Sequence, residues 1–123
     1  MYEYKAKYVS NYDGDTIKFE VDLGFNIAHK ITVRLKDVDC YEMNSKDEKE
    51  SKIAKTAKEF VCSVLSGNNS ILIKTHKDSK DKYGRYPAEV QYSHASVMLG
   101  NAITYKNLTN ELIMAGLVRP VYP

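Results

Sequence analysis

Residues 33–42, VRLKDVDCYE, combine side chains that strand periodicity alone does not require. Apolar and basic residues alternate over Val33–Lys36, which is typical of a strand. The carboxylates of Asp39 and Glu42 follow closely behind the guanidinium of Arg34. A cation-binding carboxylate, a proton-accepting carboxylate and an anion-binding guanidinium are what a metal-assisted attack on a phosphodiester needs. The alternative is an exposed strand end with a salt bridge, and these residues alone leave both interpretations open.

Two polar turns elsewhere in the chain carry groups of the same kinds. Residues 13–16, DGDT, are typical of a hairpin turn, because Asp-Gly is a strong turn signal. Asp15 would project its carboxylate from the start of the next strand, while Asp13 would hydrogen-bond the turn or a water in the outer shell of a metal. Residues 81–85, DKYGR, are likewise typical of a polar hairpin turn, and they add a second arginine. Neither turn is specific for chemistry by itself.

The length and composition of the chain bound the class of protein. Its 123 residues fit one domain, which we expect to span 1–123, and its 43% hydrophobic and 28% charged residues are those of an ordinary soluble globular protein. No apolar run approaches the ~20 residues that a membrane span requires, so we expect no membrane partner. The N-terminus has no apolar signal core, which favours a cytoplasmic location as written and a secreted one if an upstream signal has been trimmed. The 2 cysteines are too few for a disulfide scaffold, and no cysteine–histidine cluster suggests zinc.

Positive charge is concentrated in one segment. Residues 74–85 carry a net charge of +3, whereas the whole chain carries +2. A basic segment of this kind suits a polyanionic partner such as nucleic acid, although most charge runs are solvated loops. No obligate protein partner is evident, so we expect a monomer.

Hydrophobic periodicity predicts three strands followed by a long helix. The strands are predicted at 2–10, 15–23 and 31–38. In the second strand the apolar face consists of Ile17, Phe19, Val21 and Leu23, and in the third Asp37 would extend the buried face. Ser45 and Glu48 form a capping-box pattern, and apolar residues then recur at helical spacing. A helix is therefore predicted from about Lys46 to Ser66, with Gly67 as its C-cap.

Two more strands and a short helix are predicted after this helix. The strands lie at 70–75 and 86–92, and the helix runs from about 108 to 115 and ends at Gly116. Residues 77–85 are predicted as a long turn, and 93–106 as an irregular hairpin around Gly100-Asn101. The order of elements favours a mainly β fold, a five-stranded oligonucleotide-binding (OB) barrel with about two to three α-helices packed on it.

The three polar constellations, taken in order, resemble the staphylococcal nuclease (thermonuclease) family. DGDT is followed by R-x-x-x-x-D-x-x-E and then by DKYGR, and the resemblance extends from about Val9 to Tyr122. The family has the OB barrel predicted above. Its members cut DNA and RNA with Ca²⁺ and leave 3′-phosphates. The family usually has Thr-Pro where this chain has Cys40-Tyr41.

The resemblance implies a role for each matched residue. The two calcium carboxylates correspond to Asp15 and Asp39, and Cys40 stands where the family supplies a backbone carbonyl ligand. The glutamate that is proposed to activate the attacking water corresponds to Glu42. The two phosphate-binding arginines correspond to Arg34 and Arg85.

Three further residues match nucleotide-contacting positions of the family. They are Lys82, Tyr83 and Tyr122. The resemblance therefore implies a Ca²⁺-dependent endonuclease, a phosphodiester hydrolase that acts on DNA and RNA with a preference for single strands. The alternative is a non-catalytic module of the same fold that binds nucleic acid or protein. A pure binder has no reason to keep Asp15, Asp39 and Glu42, so the acidic set favours the enzyme.

Overall fold

The predicted strands and helices follow one another in the predicted order, and a short strand that was not predicted precedes the last helix. The computed structural model describes residues 2–67, 70–76, 80–93 and 104–119. In those residues the elements are β1 Tyr2–Asn11, β2 Thr16–Asp22, β3 Ala28–Leu35, α1 Glu48–Leu65, β4 Ile71–Thr75, β5 Tyr86–Ser93, β6 Tyr105–Asn107 and α2 Leu108–Met114. None of the helices in these ranges is long and apolar enough to cross a membrane.

The first five strands close into a barrel. β1 lies between β2 and β4 in antiparallel pairing, and β5 is antiparallel to β4. Closure comes from a parallel pairing between β3 and β5, in which Arg34 lies opposite Pro87. This strand order, with α1 in the connection from β3 to β4, confirms the prediction of a five-stranded OB barrel with helices. The short β6 pairs with the end of β5 and leads into α2.

The barrel interior is filled by the alternating apolar residues of its strands. On β2 the side chains of Ile17, Phe19 and Val21 are buried, as a period of two predicts. Leu23, predicted for the same face, is 46% exposed because the strand ends at Asp22. The alternation therefore holds only as far as the pairing with β3 continues.

Helix α1 packs a narrow apolar stripe against the barrel. Its buried residues are Ala54, Ala57, Val61 and Leu65. The capping box predicted from Ser45 and Glu48 is wrong, because the N-cap is Asp47, whose carboxylate accepts two backbone N–H groups of the first turn. A charged carboxylate is favoured there by the partial positive charge of a helix N-terminus. The predicted C-terminal glycine is confirmed, since Gly67 has a φ of +74°.

The third strand ends earlier than the sequence predicts. β3 spans Ala28–Leu35 and not 31–38, and Asp37 is an exposed residue with a φ of 65°. The apolar residue that suggested a longer strand, Val38, is buried but reaches the core after the turn at Asp37. Asp39 and Glu42 therefore lie in an irregular segment between β3 and α1.

Helix α2 ends in a hydrogen-bonded turn that contains Gly116. The predicted hairpin around Gly100-Asn101 lies outside the described residues. After α2 the backbone N–H groups of Gly116 and Leu117 donate to the carbonyls of Ile113 and Leu112, at 3.1 Å each. Gly116 has a φ of +70°, so the prediction that it ends the helix is confirmed.

Candidate active site

The turn between β1 and β2 is held by an aspartate side chain. Asp13 Oδ1 accepts the backbone N–H groups of Asp15 and Thr16, at 3.1 and 2.8 Å. The backbone N–H of Tyr12 donates to the carbonyl of Thr16 at 2.9 Å. These bonds fix Asp15 immediately before β2, where it is only 7% exposed. Of the two roles considered for Asp13, the structure shows the bonding of the turn.

A close contact explains why residue 14 is a glycine. A Cβ built on Gly14 would lie 2.6 Å from Cys40 Sγ and 2.9 Å from the Cβ of Ala57, which is closer than real Cβ atoms approach. The positive-φ glycines of the described ranges are Gly24, Gly67, Gly84 and Gly116. Gly14 is therefore needed for space, and it lets the turn pack directly against the 36–42 segment and α1.

Two carboxylates share the guanidinium of Arg34. Its Nη1 lies 3.4 Å from Asp15 Oδ2 and donates to the carbonyl of Leu35 at 2.6 Å. Its Nη2 contacts Asp39 Oδ1. The pair is asymmetric, because the Asp15 side chain is 10% exposed and that of Asp39 is 67% exposed.

The irregular segment that carries Asp39 is anchored on both sides. The backbone N–H of Cys40 donates to Asp15 Oδ2 at 2.9 Å, and the N–H of Arg119 donates to the carbonyl of Asp39 at 2.8 Å. The Cys40 side chain also packs against the core next to Gly14. Although the stiff proline of the family is absent, the segment is held by these bonds and this packing.

Burial raises the pKa of the Asp15 carboxyl above its ordinary value. Burial and the hydrogen-bonded, charged Asp13 raise its pKa to about 6, against the opposing effects of the Cys40 N–H and of Arg34. The same burial, together with the nearby carboxylates, raises the pKa of the Cys40 thiol to about 12, so the thiol is neutral and a poor nucleophile. A buried carboxylate of this kind is stabilised in its ionised form by an added cation.

The second arginine is held by its own turn. Asp81 Oδ1 accepts the backbone N–H groups of Tyr83 and Arg85, at 2.9 and 2.8 Å, and Asp81 Oδ2 accepts Arg85 Nε at 3.0 Å. These bonds, that of the Arg85 N–H first, lower the pKa of Asp81. The turn that the sequence predicts is confirmed, and Gly84 takes its positive φ of 77°.

Thr16 is adjacent to both arginines. Across β2 and β3 its Cα is the partner of Arg34, and its Oγ1 lies 3.5 Å from Arg85 Nη1. Arg34 and Arg85 are 51 positions apart in sequence, and the barrel brings both next to the same threonine. The sequence pattern assigns no role to Thr16, although Thr16 directly follows Asp15 in the DGDT turn.

An aromatic ring covers the guanidinium of Arg85. Tyr83 is 69% exposed, and its ring centroid lies 5.2 Å from Arg85 Cζ and 5.1 Å from Lys82 Nζ. Both distances are in the range of cation–π contacts. Lys82, Tyr83 and Arg85 therefore form one exposed basic and aromatic surface.

Glu42 lies in the irregular segment between β3 and α1, across a cleft from the turn that carries Asp13. It is exposed, its carbonyl accepts the Ser45 N–H at 3.1 Å, and it lines a cleft that also includes Asp13. Tyr122, the remaining nucleotide-contacting residue in the prediction, lies outside the described residues. The other predicted site residues are brought to one end of the barrel.

The donors at this end of the barrel fit a hard cation. The described ranges contain no cluster of three or more His, Cys, Asp and Glu side chains that could hold a metal ion. The carboxylates of Asp15 and Asp39 both contact the guanidinium of Arg34, so they are the pair that could hold an ion, and the guanidinium occupies a position that suits positive charge. Carboxylate oxygens suit Ca²⁺ rather than Zn²⁺, and a site with so few protein ligands is completed by water or by substrate phosphate. The resemblance implies that the backbone carbonyl of Cys40 is a metal ligand. The contact that Cys40 makes with Asp15 in the structure uses its amide N–H instead.

The barrel and the site together define a class of OB-fold protein with paired carboxylates and paired arginines at one end. The family described as staphylococcal nuclease homologue matches residues 32–122, and the chain belongs to this family. The match includes Arg34, Asp39, Glu42 and Arg85, and it begins after the turn that holds Asp15. No curated protein matches the chain. Membership indicates a nuclease-type fold and an interaction with nucleic acid.

Proposed function

We propose that this chain is a Ca²⁺-dependent nuclease that hydrolyses phosphodiester bonds of DNA and RNA, with a preference for single strands. The observation that supports it most is the pair of carboxylates, Asp15 and Asp39, bridged by one arginine while a second arginine lies across Thr16. A cation site next to two guanidinium groups is the arrangement that a phosphodiester and an attacking water require.

In this proposal Asp15 and Asp39 hold the ion, with Cys40 placed next to them by its hydrogen bond to Asp15. When bound, Ca²⁺ supplies Lewis-acid polarisation of the phosphate and favours ionisation of a water. The water oxygen forms a bond to phosphorus as the bond to the 5′ oxygen breaks, and the leaving 5′ oxygen takes up a proton from solvent water. The products are a 3′-phosphate and a 5′-hydroxyl, as in the family that the sequence resembles.

Glu42 is the proposed acceptor of the water proton. An ordinary glutamate has a pKa of about 4.3 and bulk water about 15.7, which is a gap of ~11 units or ~15 kcal/mol. Glu42 alone cannot close that gap, so its carboxylate orients the water and receives the proton after the cations have lowered the cost of hydroxide.

Arg34 and Arg85 stabilise the transition state in this proposal. As phosphorus becomes five-coordinate its oxygens gain charge, and a guanidinium fork pairs with them in a bidentate geometry that an ammonium lacks. Because the Nη atoms of Arg34 contact Asp15, Asp39 and the carbonyl of Leu35, Arg34 has to exchange these partners for the phosphate.

The test is the release of acid-soluble nucleotide from denatured DNA and from RNA. Wild type should release nucleotide with Ca²⁺ and stop with EGTA, and Glu42→Gln should be slower by about 10²- to 10⁴-fold. Glu59→Gln, on the exposed face of α1, is the matched control and should behave as wild type. Equal release by wild type with Ca²⁺, by wild type with EGTA and by Glu42→Gln would point to a contaminant. Retained binding without release would support the non-catalytic module.

A further inference from the structure

A cleft lies between the turn that precedes Asp15 and the residues that follow Cys40. It has a volume of about 480 Å³, and its lining residues are Tyr12, Asp13, Glu42, Met43 and Asn44. A volume of this size is in the range of pockets that bind small ligands. Both walls are continuous with the site, because Asp13 Oδ1 binds the N–H of Asp15 and residues 42–44 follow the anchored Cys40.

The ring of Tyr12 is presented to solvent on a fixed backbone. The residue is 73% exposed. Its N–H donates to the Thr16 carbonyl at 2.9 Å, and the neighbouring Asn11 side chain donates to the carbonyls of Asp13 and Lys58, at 3.0 Å each. An exposed aromatic ring on an anchored turn is a preorganised stacking surface, since little conformational freedom remains to be lost on binding.

The polar groups of the cleft differ from those around the arginines. Among the described residues that line it, Asp13 and Glu42 are acidic and none is basic. Such a cleft repels a phosphate, whereas a neutral ring with amino donors is suited to it. The exocyclic amino groups of adenine, cytosine and guanine donate to carboxylate and amide oxygens, and thymine and uracil lack such a group.

We propose that this cleft is the subsite for a nucleobase next to the scissile phosphate, with the base stacked on Tyr12. The polar edge of the base meets Asp13 and Asn44, so the subsite prefers an amino-bearing base to thymine or uracil. Met43 supplies apolar contact beside the ring. The inference rests on the proposed function, because it needs a phosphodiester to be positioned at the neighbouring arginines.

The experiment combines a protein variant with a substrate variant. Wild type and Tyr12→Ala are given labelled single-stranded heptanucleotides in which one base at a time is removed, and cleavage is measured bond by bond. Base–aromatic stacking is worth about 5- to 150-fold per base. In wild type one abasic position should slow cleavage of the adjacent bond by that factor. In Tyr12→Ala the intact substrate should already be slowed by a similar factor, mainly through KM, and removal of that base should cost little more.

Two further variants separate stacking from damage to the fold. Tyr12→Phe keeps the ring and should show the abasic penalty at the same position as wild type, while Tyr2→Ala removes a 54% exposed tyrosine at the start of β1 and should change neither cleavage nor the abasic pattern. Thermal unfolding of each variant reports whether the fold is intact. At the sensitive position, wild type should cut substrates with adenine or cytosine faster than those with thymine.

The outcomes distinguish the subsite from the activity. If wild type cleaves the substrate and Tyr12→Ala shows the same abasic penalty as wild type, the subsite is overturned and the proposed nuclease activity is not. Equal rates for all four bases overturn the preference for amino-bearing bases. If wild type binds the heptanucleotide without cutting it, the catalytic proposal fails. The affinities for intact and abasic heptanucleotides are then compared by fluorescence anisotropy, and a loss of affinity confined to Tyr12→Ala supports the base-binding site. If wild type neither binds nor cuts, both fail.

Discussion

The two arginines at the end of the barrel are held by different kinds of partner. The guanidinium of Arg34 contacts Asp15 and Asp39, which come from two segments outside its own strand. The guanidinium of Arg85 is held at Nε by Asp81, four residues earlier in the same turn. Asp81 also accepts backbone N–H groups, so the turn and the arginine are built as one unit.

This difference assigns different tasks to the two residues. The bond to Asp81 uses Nε of Arg85 and leaves the fork of terminal nitrogens directed at Thr16 and the site. Arg34, in contrast, uses both terminal nitrogens on carboxylates that the proposal assigns to Ca²⁺. In the proposed mechanism Arg85 is therefore preset for phosphate, whereas Arg34 exchanges its carboxylate partners for phosphate as the ion binds.

The largest effect is expected for Arg85→Lys. Lysine keeps the charge but loses the bidentate fork and the Nε bond to Asp81, so kcat should fall by about 10²- to 10³-fold. Calcium affinity measured by calorimetry without nucleotide should stay at the wild-type value, because Arg85 does not contact Asp15 or Asp39. A parallel loss of calcium affinity would contradict the separation of the two arginines.

The next effect concerns Asp15 in the calcium-free protein. Its folded-state pKa of about 6 lies above the ordinary 3.8, so the cost of ionising it is absent below about pH 3.8 and fully present above about pH 6. Wild type therefore loses stability over this window, and Asp15→Asn does not. After a discount for solvent screening, the free energy of unfolding of the variant relative to wild type should rise by about 2 kcal/mol across it.

Urea unfolding with EGTA at about pH 3.5 and pH 7.5 measures this difference. Added Ca²⁺ should stabilise wild type and have little effect on Asp15→Asn, because the variant lacks one of the two carboxylates. A stability difference that does not change with pH would show that burial does not oppose the charge of Asp15.

A smaller effect is expected for Arg34→Gln. Its two ion pairs are partly exposed, and such pairs are worth ~0–1 kcal/mol each. Removing the competing cation should tighten Ca²⁺ binding without nucleotide by about fivefold, while Arg85→Gln leaves it unchanged. Weaker binding in Arg34→Gln would mean that Arg34 orients the two carboxylates for the ion and does not compete with it.

The smallest effect is expected for Asp81→Asn, and its sign is opposite to that of Asp15→Asn. The lowered pKa of Asp81 contributes stability above its ordinary pKa, and this contribution is lost as the pH falls. The variant should therefore become less stable relative to wild type as the pH rises through about 4, measured by the same urea titration. A shift in the same direction as for Asp15→Asn would remove the contrast between the two aspartates.

Much of the fold could be predicted from periodicity. The alternation of Ile17, Phe19 and Val21 and the helical spacing before Gly67 indicate elements that the structure contains. The end of β3 could not be predicted, because Val38 continues the apolar pattern although the chain has already turned at Asp37. Periodicity indicates which residues are buried, but it does not show whether a buried residue belongs to a strand or to the turn that follows the strand.

The site was predictable in its residue types and less so in its contacts. DGDT, DKYGR and the 33–42 segment supply the carboxylates and arginines that the barrel brings together. Their meeting at Thr16 depends on the parallel pairing of β3 with β5, a contact between distant segments that no local pattern encodes. The proposed stacking role of Tyr12 could not be predicted, because one tyrosine among the chain's 10 carries no signal of its own.

The packing of Gly14 against Cys40 and Ala57 has a consequence for how the chain acquires its site. These three positions come from the β1–β2 turn, the 36–42 segment and the middle of α1, and their contact leaves no room for one more methyl group at residue 14. The position of Asp15 relative to residues 39 and 40 is therefore coupled to the packing of α1 against the barrel. A larger side chain at any one of the three positions should be tolerated only with a smaller side chain at one of the other two.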